Sequence, residues 1–311
     1  MKRKKKKTDK VDSGPGSMPI GVFAISVLRS QLDRMLSHEA GTRLGEDPEE
    51  LHDMRVAVRR LRAAIRLFRP VLKPGWKKVR DELAWFAEEL GRVRDLDVLI
   101  GRIEGWLPKL GKSADSTLTL LEELRAIRKE RRIQLLAALD STRFEELIKS
   151  FRSNLPEVRT GEAQGAVQVK VPALIGRRAR RFFDRARELT AESTGPDRHQ
   201  VRILAKRFRY AVDFSIPVYG LRAERVSSTL GELQDILGAH QDAFVAKSFL
   251  ETLADGRDSL EPALAAINRR FEASIRKDSK RELAILKVRL PEEWDLLTRK
   301  MGKLAKKRSP R

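Results

Sequence analysis

Residues 51–68 read LHDMRVAVRRLRAAIRLF, and residues 198–215 read RHQVRILAKRFRYAVDFS. An offset of 147 positions lays the second stretch on the first. His52 then falls on His199, Arg55 on Arg202, Arg60 on Arg207, Arg62 on Arg209 and Ala64 on Ala211. Without a gap, the same offset sets Leu90-Gly91 on Leu237-Gly238 and Asp95 on Asp242. A constant offset held over roughly forty residues is hard to obtain by chance between two basic helices, so the chain reads as a duplicated helical unit.

Both stretches are amphipathic helices with two stripes. Leu51, Met54, Val58, Leu61, Ile65 and Phe68 recur at three- and four-residue spacing, which makes a core face. One position further on, His52, Arg55, Arg59, Arg62 and Arg66 form a second row. One residue is about 100° of helix, so the basic row flanks the buried one, and from His52 to Arg66 it runs ~21 Å. The second stretch repeats the pattern with Val201, Ala205, Phe208 and Val212 inside and His199, Arg202, Lys206 and Arg209 beside them. Asp213 stands where Arg66 would be, so that row is shorter.

Elsewhere β-branched and aromatic alternation is rare, and Leu, Ala, Arg, Glu and Lys recur at helical spacing, which predicts an all-α fold. Helices are expected near 19–41, 48–69, 76–91, 95–110, 116–153 with a break at Asp140–Ser141, 172–192, 197–215, 221–237, 241–254, 258–277 and 280–304. Asp47-Pro48-Glu49-Glu50 supplies an N-cap, a first-position proline and early acids. Pro70, Pro74 and Gly75 separate that helix from the next. Residues 154–169 lack an apolar period and read as a linker. The expected organisation is a disordered basic tail (1–18), a first helical repeat (19–153), the linker, a second repeat (170–304) and a basic tail (305–311).

The 311 residues are 41% apolar and 35% charged, enough for a substantial core beneath an ionised surface. No apolar run is long enough to span a bilayer, and no apolar segment follows the basic start as a secretory signal requires. Cysteine is absent, which excludes disulfides and thiolate metal sites and suits a reducing cytoplasm. Net charge is +21; residues 1–10 carry +6 and residues 299–311 carry +7, so 11–298 keep +8. That surplus points to a polyanionic partner.

Like charges three and four residues apart on a helix repel, yet here they are stacked in line with no interspersed glutamate. Paired with acids from other helices they would be an ordinary solvated face. The recurrence of the row, with a histidine at the same end, favours a binding surface instead. Guanidinium forks donate two parallel hydrogen bonds to phosphate oxygens, so a row of them suits a repeating phosphate chain. Arg178, Arg181 and Arg185 form a further basic face whose first-copy counterparts are Gln31, Arg34 and His38. Arg128, Arg131 and Arg132 lie near Glu122, Glu123 and Glu130, which offset part of their charge. Asp95, Asp97 and Asp242 could hold magnesium, but the second copy lacks the partner of Asp97; the structural alternative is that each shared aspartate orients an arginine of the adjacent row. His52 and His199 have no second ligand at zinc spacing. No nucleophile motif, glycine-rich phosphate loop or carboxylate pair is present, so neither catalysis, nor a metal, nor a cofactor is expected.

These motifs (His52-x2-Arg55-x3-Arg59-Arg60-x-Arg62, LGRVRDLDV at 90–98, His199-x2-Arg202-x3-Lys206-Arg207-x-Arg209 and LGAHQDAFV at 237–245) resemble the conserved histidine α-helical domain, or CHAD, family over roughly 19–304. The resemblance implies two similar four-helix bundles about a pseudo-twofold axis, a basic central surface that binds inorganic polyphosphate, association with polyphosphate granules, and no catalytic activity. It implies that His52, Arg55, Arg59, Arg62, His199, Arg202, Lys206, Arg207 and Arg209 line the polyphosphate site; Arg66 is added from spacing alone. Adjacent phosphates should protonate the histidines, so affinity is expected to rise below neutral pH. The rival partner is nucleic acid bound without sequence preference. Against it, aromatic residues make up 6% of the chain and the basic stripes lack interleaved rings for base stacking.

Overall fold

A computed structural model describes residues 15–156, 162–190 and 192–306, and all regular structure among them is helical. The tails at 1–14 and 307–311, and 157–161 of the expected linker, lie outside the described residues. The first half holds α1 (Ile20–Ser37), α2 (Glu39–Leu44), α3 (Pro48–Phe68), α4 (Trp76–Trp106), α5 (Ala114–Leu139) and α6 (Thr142–Asn154). The second holds α7 (Val167–Ala186), α8 (Gly195–Asp213), α9 (Ile216–Tyr219), α10 (Leu221–Ala254), α11 (Glu261–Ala284) and α12 (Leu290–Lys306). No helix among the described residues is long and apolar enough to cross a membrane.

Local chemistry sets most ends. The Asp47 carboxylate accepts from the Glu49 amide at 2.8 Å and Pro48 opens α3. Thr194 and Asp197 cap α8 reciprocally. Ser141 accepts from the Phe144 amide, which fixes the break between α5 and α6. α2 closes on Gly45 at φ +73°, and the Arg132 guanidinium lies where a side chain at Gly45 would be.

Two expected breaks are absent. Segments 76–91 and 95–110 join in α4, and 221–237 and 241–254 join in α10. A glycine inside a helix costs about 1 kcal/mol against alanine, which packing can override. Gly91 and Gly238 lie beneath arginines, where a Cβ would meet only ordinary van der Waals contact, 3.6 Å from the Arg55 guanidinium and 3.9 Å from Arg202 Nε. α7 begins at Val167 rather than at Pro172, because a tertiary contact anchors its first turn. The last expected break moves from 278–279 to a π-helical turn, Ile285–Arg289.

That contact is reciprocal. The Ile20 amide donates to the Gly165 carbonyl at 2.8 Å, and the Val167 amide donates to the Met18 carbonyl at 3.0 Å. Pro19 therefore faces Ala166, 147 positions away, the offset read from the two basic stretches. The principal core runs through both halves, from Ile20 and Phe68 to Phe208 and Met301, and does not divide at the linker. The far ends of α4 and α10 pack with α5 and α11 around a second core that includes Ile103, Leu124, Leu250 and Phe271.

Arg198 donates to Glu282 at 3.2 Å with 9% and 1% of the two side chains exposed, which ties α8 to α11. Removing one member of a buried pair leaves the other charge uncompensated and typically costs roughly 3–5 kcal/mol. Glu282→Ala should lose stability on that scale in urea unfolding; a loss within about 0.5 kcal/mol, the range of a surface substitution, would mean that the pair does not fasten these helices.

A basic cleft between the two repeated helices

Burial of Met54, Val58 and Leu61 on α3, and of Val201, Ala205 and Phe208 on α8, turns both basic rows the same way. α3 and α8 pack together, and the rows line one open cleft of about 1260 Å³. From α3 it takes His52, Arg55, Arg59 and Arg62; from α8 it takes His199, Arg202, Lys206 and Arg209. Eight of the residues read from the sequence thus come together.

The two shared aspartates act on arginines. Arg55 Nη2 donates to Asp95 Oδ1 at 3.1 Å, and Arg202 Nη2 lies 3.6 Å from Asp242 Oδ1. Asp97 holds Arg128 at 2.6 Å. Arg55 and Arg202 keep only 25% and 19% of their side chains exposed while each aspartate faces solvent. Arg209 reaches Gln234 at 3.4 Å. Arg59, Arg62 and Lys206 form no ion pair among the described residues, although Asp81 acts on Arg62 and Asp242 on Lys206 at longer range. Nε of Arg62, Arg202 and Arg209 and Nδ1 of His199 are buried without a hydrogen-bond partner.

The electrostatics follow from this crowding. Burial, with Arg59, Arg202 and Arg55 around it, pushes the Lys206 amine down to about 7. Burial, reinforced by Arg94, holds His52 below the usual histidine range, so it is uncharged near neutral pH in the free protein. Burial likewise lowers Arg55, Arg62 and Arg202, though guanidinium stays charged.

Five expected residues stand outside the cleft. Arg66, Arg178 and Arg207 gather beside its α3 end, where Arg178 Nη2 donates to the Arg66 carbonyl at 3.2 Å. Arg181 neighbours Arg178. Arg185 is taken up by Asp197 at 2.6 Å and by Glu188. His38 and Glu50, the first-half counterparts of Arg185 and Asp197, pair at 2.7 Å, so this contact has an equivalent in each half. Sequence reading missed Arg60, Arg92, Arg94 and Arg102 at the cleft, and Arg131, noted there only in a basic cluster offset by glutamates, lines it too. Arg92 and Arg94 were visible beside Asp95, but only the fusion of the two expected helices into α4 carries them to the wall. Arg102 and Arg131 arrive through the distal packing of α4 and α5.

An amine whose folded pKa lies below its unfolded value binds its proton only in the unfolded chain between those two values, so stability rises with pH across that window. Free protein should therefore gain stability in urea between about pH 7 and about pH 10. Lys206→Met should flatten that rise; an undiminished slope would place the proton elsewhere.

No curated protein matches this sequence. The crystal structure of the CHAD domain from the plant Ricinus communis is similar at 25% identity and a TM-score of 0.74, over 88% of this chain and 93% of that one. PptA from Streptomyces chartreusis shares the fold at 20% identity and a TM-score of 0.67, over 89% of this chain and 99% of that one. The CHAD domain family model matches residues 26–251, a span that contains both histidine–arginine rows, both glycines and both shared aspartates. The chain belongs to the CHAD domain family.

Proposed function

We propose that this protein binds inorganic polyphosphate in the cleft between α3 and α8, holds it without cleaving it, and is brought by that binding to polyphosphate granules in the cytoplasm. The observation that carries the reading is the set of half-buried cations (Arg59, Arg62 and Lys206) that line the cleft without an ion-pair partner among the described residues, while Asp95 and Asp242 on its wall are engaged with Arg55 and Arg202. Confining like charges this way is unfavourable in the free protein and becomes favourable when a polyanion enters. Phosphate at every repeat of the polymer offers each guanidinium a two-oxygen acceptor. Arg55 and Arg202, held at one oxygen by Asp95 and Asp242, keep their remaining donors for the ligand.

The shape of the cleft supports a thin chain over a duplex. Its cations are sunk between helices, where an unbranched polymer can follow them. Base stacking requires open rings; Arg60 lies over the Tyr210 ring at 6.0 Å, which leaves Phe249, 37% exposed, as an open ring on the cleft wall. Many equivalent forks also stabilise each linkage of the polymer alike, and uniform binding does not accelerate the breaking of any one of them.

Long-chain polyphosphate should outcompete duplex DNA and RNA at about 0.15 M salt. Losing a charge-assisted hydrogen bond costs about 1.5–3 kcal/mol, so Arg55→Ala/Arg202→Ala should weaken polyphosphate by about two orders of magnitude or more. Equal binding of all three polymers, with the folded double variant unchanged, would contradict the reading. Phosphate should also raise the depressed Lys206 and His52 values, so binding takes up protons and affinity rises as pH falls through about 7. Lys206→Arg should bind with a weaker pH dependence; an identical profile would remove Lys206 from that role.

A further inference from the structure

At one locus the two halves, equivalent under the 147-residue offset, carry opposite chemistry. Arg66 corresponds to Asp213, Arg207 to Arg60, Arg80 to Ser227 and Arg178 to Gln31. On the Asp213 side, Arg60 Nη1 donates to Asp213 Oδ2 at 3.0 Å, and the Ser227 hydroxyl donates to the other carboxylate oxygen. The aspartate side chain is 6% exposed, and Arg60 lies over the Phe214 ring at 5.4 Å. This joint is closed and internally neutralised.

On the other side the joint is made of arginines. Arg66 and Arg207 are both exposed, and Arg66 lies within electrostatic reach of Arg207 and of Arg80. Asp81, the nearby acid, is taken by Arg80 at 3.0 and 2.6 Å. Arg178 extends from α7 onto α3, held by the Leu174 carbonyl at 2.8 Å and the Arg66 carbonyl at 3.2 Å. Burial, together with Arg177, Arg181 and Arg207, pushes its guanidinium down to about 10. These cations continue the cleft: Arg59 neighbours Arg62, Arg62 neighbours Arg66, Arg66 neighbours Arg207 and Arg207 neighbours Arg178.

Resting on the polyphosphate reading of the cleft, we propose that the arginine joint is an exit subsite: a phosphate polymer longer than the cleft leaves it on this side only, over Arg62, Arg66, Arg207, Arg178 and Arg181. The Arg60–Asp213 joint closes the opposite side. The protein therefore prefers long linear chains and carries them in one lateral direction. From Arg55 to Arg62 the row spans roughly 10 Å, and Arg66 adds about 6 Å, so a short oligomer occupies the cleft without reaching the joint.

The test compares inorganic tripolyphosphate with long-chain polyphosphate on the full chain. Arg66→Asp copies the closed joint, because an aspartate there faces Arg207 as Asp213 faces Arg60. Arg181→Asp and Arg34→Asp make the same charge change at exposed positions that correspond under the offset, on the open and closed sides; Arg34→Asp also gives up the 3.3 Å ion pair with Asp53, so it is the harsher of the two changes. Arg66→Asp and Arg181→Asp should each weaken long-chain binding by about tenfold and reduce its salt slope by about 1–2. Tripolyphosphate affinity should change less than about threefold, and Arg34→Asp should leave the long-chain advantage in place. Equal losses for Arg181→Asp and Arg34→Asp would overturn the one-sided exit in favour of general attraction, with the cleft reading intact. Failure of tripolyphosphate to bind the wild type, or indifference of that binding to Arg55→Ala/Arg202→Ala, would overturn the cleft and the exit together.

Discussion

The angle between two stripes on one helix governs this molecule. On α3 the buried row and the basic row are about 100° apart, so seating Met54, Val58 and Leu61 in the core leaves Arg55, Arg59 and Arg62 nowhere to point except the cleft. Each buried apolar side chain contributes roughly 1.5–3 kcal/mol. Two cations ~6 Å apart at an effective dielectric near 20 repel by about 3 kcal/mol. The terms are of one size per residue, and the buried residues of α3 outnumber its cleft arginines. Packing therefore holds the charges together, and their remaining repulsion is what a polyanion relieves.

Much of this was legible in the sequence because periodicity records which face of a helix is buried. The all-α class, the capped start of α3, the break at Ser141 and eight cleft residues could be read from spacing and caps. The breaks expected after Gly91 and after Leu237 are absent because α4 and α10 each run on from the principal core into the second one, and that packing outweighs the ~1 kcal/mol cost of a glycine in a helix. Arg102 was illegible for a similar reason, and Arg131, legible only as part of a basic cluster offset by glutamates, is brought in by the packing of α4 and α5 at the far end. Arg185 had the right residue type and spacing, but Asp197 comes from the start of the next helix, and a one-helix pattern does not show that partner.

The offset of 147 also shows where the halves diverge. Asp95 and Asp242 keep the same task on both sides, orienting one arginine each. The exchange of Arg66 for Asp213 converts a repulsive joint into a neutral one without disturbing the helices around it. Halves that align under one sequence offset can thus line a central cleft in similar ways while their two margins differ in charge.

The central claim is that the cleft guanidinium groups meet phosphate directly. Arginine-selective modification by phenylglyoxal, read by mass spectrometry with and without long-chain polyphosphate, tests it residue by residue. Arg59, Arg62 and Arg209 should be strongly protected, while Arg143 and Arg152, on α6 away from the cleft, should react as before. Uniform protection of all arginines, or protection of Arg143 and Arg152 with Arg59 and Arg62 still reactive, would contradict the account.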